Sequence, residues 1–297
     1  MDGILPLWKP KGLTSHDCVF KIRKLFHTKK VGHTGTLDPD VEGVLPICIG
    51  QATKIVPFLT DTKKTYIAKL KLGQATDTED ATGRVIEEKE VVYRPNVQQI
   101  EEVLPSFLGK IEQVPPMYSA VKVNGKKLYE YARANETVER PIRHVYIYEL
   151  MQLSEDEQQQ DTISFKVICS KGTYIRTLCV DIGKALGYPA HMAELTREAT
   201  GAFSKKNTVT FATIEEAVRN KKEADLLQPI EQGLLHLDCL RVDRDTKQKV
   251  LHGQKLQYTY KLTTNPFTVM YQDELLAVYQ IHPDNPEMMK PIRVFSR

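Results

Sequence analysis

The sequence predicts an α+β fold, because stretches with strand periodicity and stretches with helix periodicity both occur along the chain. Lys64 to Gly73 alternates apolar and polar residues, which is typical of a strand with one buried face. Thr14 and Asp17 form a capping box directly before apolar residues at helical spacing. With 297 residues the chain is long enough for one large domain and a small one.

The composition is typical of a soluble globular protein, with 41% hydrophobic and 27% charged residues. No apolar run approaches the length of a membrane span, and the stretch MDGILPLWKPKG lacks the features of a secretory signal. The cysteines are odd in number and nowhere form CxxC. They therefore predict reduced, mostly buried thiols of a cytoplasmic protein, without disulfides or a zinc site. They are Cys18, Cys48, Cys169, Cys179 and Cys239.

The charge of the chain is unevenly distributed. The net charge is +3, but residues 1–75 hold twelve Lys and Arg against six Asp and Glu, a local +6 that leaves −3 for the remainder. A basic region of this kind is the electrostatic footprint expected for a phosphate backbone. Solvated surface charges are an equally good explanation from charge alone. The cations concerned are Lys9, Lys11, Lys21, Arg23, Lys24, Lys29, Lys30, Lys54, Lys63 and Lys64.

The stretch from Lys30 to Gly50 joins a glycine-rich loop to an apolar run, Val44 to Ile49, that predicts a buried strand. An Asp before Pro, such as Asp38, is most often a turn residue bonded to nearby backbone. The alternative is a single reactive acid that the strand presents at a defined position, with Pro39 fixing the backbone after it. Three glycines predict unusual backbone angles in this stretch; they are Gly32, Gly35 and Gly43.

Further elements follow from the same signals. Asn124-Gly125 predicts a hairpin turn, and the segment SEDEQQQD at 154–161 predicts a turn between two strands. The additional strands are expected at Gly3 to Trp8, Tyr118 to Val123, Arg143 to Leu153, Thr162 to Cys169 and Ala190 to Phe203. The additional helices are expected at Gln51 to Leu59, from Asn96, at Leu128 to Arg133, between a Thr173 cap and Gly187, and from a Thr213 cap to Arg219.

Four motifs of this chain resemble those of the TruB family, the bacterial tRNA pseudouridine synthases. They are KPxG at 9–12, GHTGTLDP at 32–39, the VPPMYSA hairpin from residue 114, and SKGTYIRTL at 170–178. The resemblance runs in register from about residue 3 to 205. It implies that Asp38 is the nucleophile, that Tyr66 packs against the target uracil, and that Arg176 pairs with Asp38.

The residues themselves also allow simpler interpretations. From periodicity alone Tyr66 is a core tyrosine, and an arbitrary helical Arg is usually a surface residue. A cation in the first turn of a helix opposes the macrodipole, so Arg176 needs a partner such as a carboxylate. The substrate- and RNA-binding candidates come from two sources. The basic region supplies Lys9, Lys54, Lys63 and Lys64, and the resemblance adds His33, Thr34, Gly35, Thr36, Tyr174 and Leu195.

The resemblance also implies an architecture and a reaction. The architecture is a catalytic domain at 1–238, with a mixed, largely antiparallel sheet flanked by helices, and a small β-barrel RNA-binding domain of PUA type at 239–297. The reaction is isomerisation of uridine 55 in the T-arm stem-loop of tRNA, after the base has been flipped out. It requires no cofactor, no metal, no protein partner and no membrane.

Two alternatives remain at this point. One is the related guide-RNA-dependent enzyme of archaeal and eukaryotic particles, although its partner-binding extensions and basic tails are not evident in this sequence. The other is an RNA-binding protein that helps tRNA to fold without catalysis. Activity on bare tRNA separates the first alternative from the TruB type, and the behaviour of an Asp38→Asn variant separates the second.

Overall fold

The computed structural model of the chain describes residues 1–153 and 161–295. The strands are β1 Gly3–Lys9, β2 Val31–His33, β3 Glu42–Ile49, β4 Lys64–Leu72, β5 Gln74–Thr76, β6 Val85–Glu88, β7 Gly109–Gln113, β8 Lys122–Val123, β9 Lys126–Lys127, β10 Arg143–Gln152, β11 Thr162–Cys169, β12 Ala190–Thr200, β13 Phe203–Ser204, β14 Cys239–Arg241, β15 Leu256–Gln257, β16 Phe267–Tyr271, β17 Glu274–His282 and β18 Asn285–Val294. The α-helices are α1 Ser15–Leu25, α2 Val56–Thr60, α3 Val97–Val103, α4 Leu128–Arg133, α5 Ile175–Ala185, α6 Phe211–Arg219 and α7 Arg244–Leu251.

Short 3-10 helices complete the secondary structure, at Gly50–Ile55, Leu104–Phe107, Lys205–Asn207, Glu223–Leu226 and Ile230–Leu234. The chain divides into two compact units. The first unit comprises Met1–Asp40, Val44–Thr62 and Gly201–Arg297, and the second comprises Val41–Gly43 and Lys63–Thr200. Among the described residues, no helix has both the length and the apolar character that crossing a membrane requires.

The second unit is built on an antiparallel set of strands in the order β12-β4-β11-β10-β7. Glu42 and Gly43, the first two residues of β3, add a parallel pairing to β12 at Thr196 and Arg197. Along β4 every second residue from Lys64 to Leu72 is buried, as the alternating pattern predicts. Helix α5 packs on β12 and β4. This face of the sheet therefore carries the core of the unit.

The first unit contains several hydrophobic clusters and a small sheet. Strand β3 pairs with β1 and β2, and helices α1 and α6 cover these strands through an apolar cluster that includes Leu45, Ile22 and Ile214. The C-terminal residues form a five-stranded sheet in the order β14-β16-β17-β18-β15, around a cluster of its own that includes Val269 and Tyr279.

The predicted fold class is confirmed: an α+β protein with a mixed, largely antiparallel sheet, flanking helices and a small C-terminal β-structure. The domain limits 1–238 and 239–297 stay a prediction, and the two compact units divide the chain at other positions. The predicted turn at 154–161 lies outside the described residues, apart from Asp161. Both the Thr14 capping box and the one formed by Asn96 and Gln99 are present.

Three local predictions are wrong. Helix α5 begins one residue later than a Thr173 cap requires, since the Thr173 hydroxyl donates to the carbonyl of Ser170 at 2.9 Å. Helix α6 is capped by Thr210, because the predicted cap, Thr213, already lies within the first helical turn. The strand expected from Tyr118 shortens to two residues, which pair across the predicted Asn124-Gly125 turn.

Candidate active site

Asp38 is half-buried in the loop between β2 and β3, and the backbone on both sides of it is fixed. On one side, the Ser15 hydroxyl accepts a hydrogen bond from the Leu37 N–H at 2.9 Å and donates to the Leu37 carbonyl at 3.2 Å. On the other side, the Pro39 carbonyl accepts from the N–H of Gly12 at 2.9 Å. The Asp38 carboxylate is therefore presented from a held backbone, as a preorganised reactive group requires.

Lys9 takes part in the same arrangement and is not on the surface. Its side chain is 0% exposed, and its ammonium donates to the carbonyls of Pro10 at 3.0 Å and Pro39 at 3.1 Å. The expectation that Lys9 contributes to an exposed phosphate-binding patch therefore differs from the structure. The KPxG motif holds the Asp38 loop through Lys9 and Gly12.

Two other predicted phosphate-binding lysines are also engaged within the chain. Lys64 is 5% exposed because it lies on the buried face of β4, the face that also carries Tyr66. The Lys54 ammonium donates to Gln51 Oε1 at 3.0 Å and to the Val294 carbonyl at 2.8 Å. The period-2 pattern of β4 could have indicated the position of Lys64. The exposed members of the predicted basic patch include Lys11, Lys24, Lys29, Lys30 and Lys63.

Removing the Ser15 hydroxyl tests how strongly the loop is held. Ser15 is 2% exposed, so Ser15→Ala leaves the buried N–H of Leu37 without its acceptor. An unsatisfied buried donor costs about 1–3 kcal/mol, and we expect urea denaturation to show a loss of that size. Ser106→Ala is the matched control, since its hydroxyl bonds the Val103 carbonyl on the surface, and it should change stability by about 0.5 kcal/mol or less. Equal losses in both variants would contradict the proposed hold on the loop.

The other motif residues of the loop have distinct environments. The half-buried His33 accepts the N–H of Gly35 on Nδ1 at 3.3 Å, which places the proton of the neutral ring on Nε2. Thr34 is 1% exposed, and within the described residues its hydroxyl has no hydrogen-bond partner. Thr36 is exposed. Gly35 has a φ of 150°, whereas Gly32, predicted to need unusual angles, lies within strand β2.

In the second unit, Tyr66 lies on the buried face of β4 and is 9% exposed. Its cross-strand neighbours are Val167 on β11 and Arg197 on β12. Arg197 is 2% exposed and is a buried cation that the sequence analysis did not identify. Gly43 has a φ of 133°, and a Cβ on it would lie 2.3 Å from the Arg197 carbonyl oxygen, so only glycine fits there.

Arg176 lies in the first turn of α5 and is 7% exposed, so it is not a surface Arg. Its guanidinium donates to the carbonyls of Thr78 at 3.2 Å and Tyr118 at 2.9 Å. A carboxylate oxygen of Asp80 lies 3.7 Å from its Nη1. These acceptors offset the unfavourable interaction with the helix dipole. The structure thus provides a carboxylate partner, Asp80, that the sequence analysis missed.

Asp80 is held by its own turn. Its Oδ1 accepts from the Thr78 hydroxyl at 2.7 Å, the Thr82 N–H at 3.0 Å and the Thr82 hydroxyl at 2.6 Å. Hydrogen bonds to a carboxylate are among the stronger ones in proteins, so the turn fixes the Asp80 side chain. This turn belongs to the segment TDTEDATG at 76–83. The close spacing of Asp and Thr residues was the available signal, because such side chains bond their own backbone in turns.

Tyr174 and Leu195 complete the predicted set in this unit. Tyr174 is half-buried, and the amide of Gln113 bonds both of its backbone groups, at 3.0 Å to the N–H and 3.1 Å to the carbonyl. Gln113 is 2% exposed and thereby fixes the residue that precedes α5. Leu195 is 9% exposed and lies opposite Ala68 in the sheet.

The five cysteines are free, and all except Cys239 are buried, as predicted. Burial raises the pKa of Cys169 to about 11 and that of Cys48 to about 12, so these thiols stay protonated at neutral pH. Among the described residues, no group of three or more His, Cys, Asp or Glu side chains is arranged to hold a metal ion.

The chain matches known proteins over its whole length. Residues 23–175 match the N-terminal domain of the TruB family of pseudouridylate synthases, and residues 176–235 match the C-terminal domain of tRNA pseudouridylate synthase B. The tRNA pseudouridine synthase B of Oceanobacillus iheyensis is 63% identical, over 100% of this chain and 98% of that protein. The one of Listeria innocua is 49% identical, over 100% of this chain and 99% of that protein.

Solved structures with the same fold include chains of two larger assemblies. A chain of a Cbf5–Nop10–Gar1 complex is 28% identical, with a TM-score of 0.76, over 99% of this chain and 84% of that chain. A chain of an H/ACA RNP bound to a substrate RNA containing 2′-deoxyuridine is 25% identical, with a TM-score of 0.76, over 99% of this chain and 85% of that chain. Together with the matches over the whole sequence, they show that this chain is an enzyme of the TruB family of pseudouridine synthases.

Proposed function

We propose that this chain isomerises uridine 55, in the T-arm stem-loop of tRNA, to pseudouridine, with Asp38 as the nucleophile. The observation that carries the proposal is the 63% identity over the whole chain to a tRNA pseudouridine synthase B. The held backbone on both sides of Asp38 supports the assignment of the nucleophile. The free cysteines agree with a cytoplasmic enzyme.

The reaction needs a nucleophile and a way to retain the free base. The bond between ribose C1′ and uracil N1 breaks, the uracil rotates, and its C5 bonds to the same C1′. The C5 proton leaves, and N1 takes up a proton, so the product is an isomer of the substrate. A carboxylate that forms a transient covalent bond divides this change into easier steps. Tyr66 offers a flat face for the uracil, and its hydroxyl is our candidate for the C5 proton transfer. The step exchanges no electrons or groups with a cofactor, and we propose none.

We further propose that Arg176 pairs with Asp38, as the family motif implies. A guanidinium near the carboxylate keeps it ionised and holds the reacting oxygen in line. The carbonyls of Thr78 and Tyr118 hold the guanidinium in place. Asp80 then acts on Asp38 only through Arg176, as a positioning residue.

The RNA must present its base outside the helix before the chemistry can start. We propose that His33 occupies the space that the base vacates. We also propose that Thr34, whose buried hydroxyl has no hydrogen-bond partner in the described part of the chain, belongs to the substrate contacts of the loop. The other proposed contacts are Gly35, Thr36, Tyr174 and Leu195. Recognition rests mainly on the shape of the RNA and on phosphate contacts.

The direct test of this function is release of tritium from C5-labelled uridine in an unmodified tRNA transcript, with no guide RNA and no other protein. The expected result is release of one tritium per tRNA, lost when position 55 is changed to cytidine. Activity that appears only with a guide RNA would favour the alternative of a guide-RNA-dependent enzyme. No release under either condition would overturn the proposal.

Lys63 is one of the predicted phosphate contacts that the structure leaves on the surface. Its ammonium lies 4.0 Å from the ring centroid of Tyr148. We expect Lys63→Ala to weaken tRNA binding and to reduce the slope of log Kd against log salt by about one. The control is Lys222→Ala, an exposed lysine outside the predicted patch, which should leave the slope unchanged. An unchanged slope in Lys63→Ala would remove Lys63 from the RNA contacts.

A further inference from the structure

Three consecutive residues of one turn contact two consecutive residues of the helix that carries Arg176. The Thr78 carbonyl and the Asp80 carboxylate face Arg176. Between them, Glu79 Oε2 accepts a hydrogen bond from the Thr177 hydroxyl at 2.7 Å. The proposed function assigns roles to Arg176 and Asp80, but it leaves the Glu79 contact unexplained.

Glu79 has an unusual backbone for its residue type. Its φ is +64°, in the left-handed region that residues other than Gly, Asn and Asp rarely adopt. The surroundings hold it there, since the Glu79 N–H donates to the Thr76 carbonyl at 3.2 Å and the Glu79 carbonyl accepts from the Met192 N–H at 3.0 Å. Strained residues of this kind cluster at functional sites.

The position of the Glu79 carboxylate also costs free energy, because a charged group is removed from most of its water. Its side chain is 19% exposed, and burial raises its pKa, whereas the bond from Thr177 and the charges of Arg176 and Arg140 lower it. The contact with Arg140 is long, 4.0 Å, and a third of the Arg140 side chain is exposed. A long, partly exposed ion pair of this kind contributes little to stability. The short bond to Thr177 is therefore the contact through which Glu79 acts most strongly.

The geometry points to Glu79 as a positioning residue for Arg176. Its bond to Thr177 joins the first turn of α5 to the turn that also contacts Arg176. Arg176 is therefore held at two levels, at its guanidinium by Thr78 and Asp80 and at its backbone by the bond between Glu79 and Thr177. Such second supports keep a reacting group within the narrow limits that catalysis requires. This inference rests on the proposed role of Arg176 in the pseudouridine reaction.

A double-mutant cycle tests the inference. Glu79→Ala and Thr177→Val each remove the same bond, so each should lower the single-turnover rate of tritium release by about tenfold while the Kd for tRNA changes less than about twofold. The double variant should lose no more than the more affected single variant, because both changes delete one contact. Glu79→Gln retains an acceptor for the Thr177 hydroxyl and should recover most of the rate.

The controls separate positioning from stability. Rates are compared at a temperature at which every variant is folded by circular dichroism. Glu87→Ala, an exposed glutamate of the neighbouring hairpin, should have wild-type activity. Additive losses in the double variant, or a Glu79→Gln variant as slow as Glu79→Ala, would overturn the inference while the function stands. An inactive wild type would instead overturn the proposed function, and the role of Glu79 with it.

Discussion

Asp38→Asn is expected to abolish tritium release, with a loss of roughly 10⁴-fold or more in the single-turnover rate. The amide has the size of the carboxylate but lacks its negative charge, so it cannot form the covalent bond that starts the reaction. The fold should be retained, since the substitution leaves in place the hydrogen bonds by which Ser15 holds Leu37 and Gly12 holds Pro39. The Kd for tRNA should therefore stay within a few fold of the wild-type value.

Asp40→Asn is the matched control for this variant. Asp40 lies two residues further along the same loop and is exposed, and we expect the full wild-type rate. A slow Asp40→Asn variant would show that the loss in Asp38→Asn reflects the loop and not the nucleophile. A residual rate within about tenfold of wild type in Asp38→Asn would exclude Asp38 as the nucleophile.

The same variant also tests the RNA-folding alternative. If the protein helps tRNA to fold independently of catalysis, Asp38→Asn should still accelerate refolding of a misfolded tRNA transcript as well as the wild type does. The two roles are compatible, so retained folding activity in a variant without tritium release would assign both to this chain. No tritium release by the wild type, together with intact folding activity, would leave only the RNA-folding role.

The parts of the fold that depend on local pattern were predictable. The alternation along β4, the Thr14 capping box and the Asn124-Gly125 turn are all properties of neighbouring residues, and the structure confirms each of them. Where two neighbouring positions fit the same local signal, as at the N-cap of α6, the prediction was wrong. Thr213-x-x-Glu216 fits the capping pattern, but Thr210 lies one turn earlier and takes the cap.

The supporting contacts of the site were not predictable, because they join residues that are far apart in the sequence. Arg176 and Thr78 are 98 residues apart, and Ser15 and Leu37 are 22 apart. A motif indicates that Arg176 has a role, but only the folded chain shows which backbone carbonyls hold it. The same holds for Lys9. Its charge suggests a phosphate contact, whereas in the structure its ammonium donates to the Pro39 carbonyl.

Arg176→Ala is the second variant with a large expected effect, a loss of roughly 10²- to 10³-fold in the single-turnover rate with tRNA binding changed only a few fold. Arg176→Lys should recover little of the rate. The planar guanidinium contacts two carbonyls and a carboxylate at once, and a Lys ammonium cannot reproduce that geometry. Single-turnover rates and Kd values measured side by side test this. Arg219→Ala, an exposed Arg in the last turn of α6, is the control.

The pH dependence then distinguishes the proposed Asp38 pair from a purely local role of Arg176. If the guanidinium keeps Asp38 ionised, its removal raises the pKa of the carboxyl, so the acid limb of the rate profile should move to higher pH in Arg176→Ala. If Arg176 only holds Thr78, Tyr118 and Asp80 together, the rate should fall by the same factor at every pH. Equal losses of turnover and tRNA binding in Arg176→Ala would contradict both roles. A residue that acts on Asp38 has no reason to lower the affinity for tRNA.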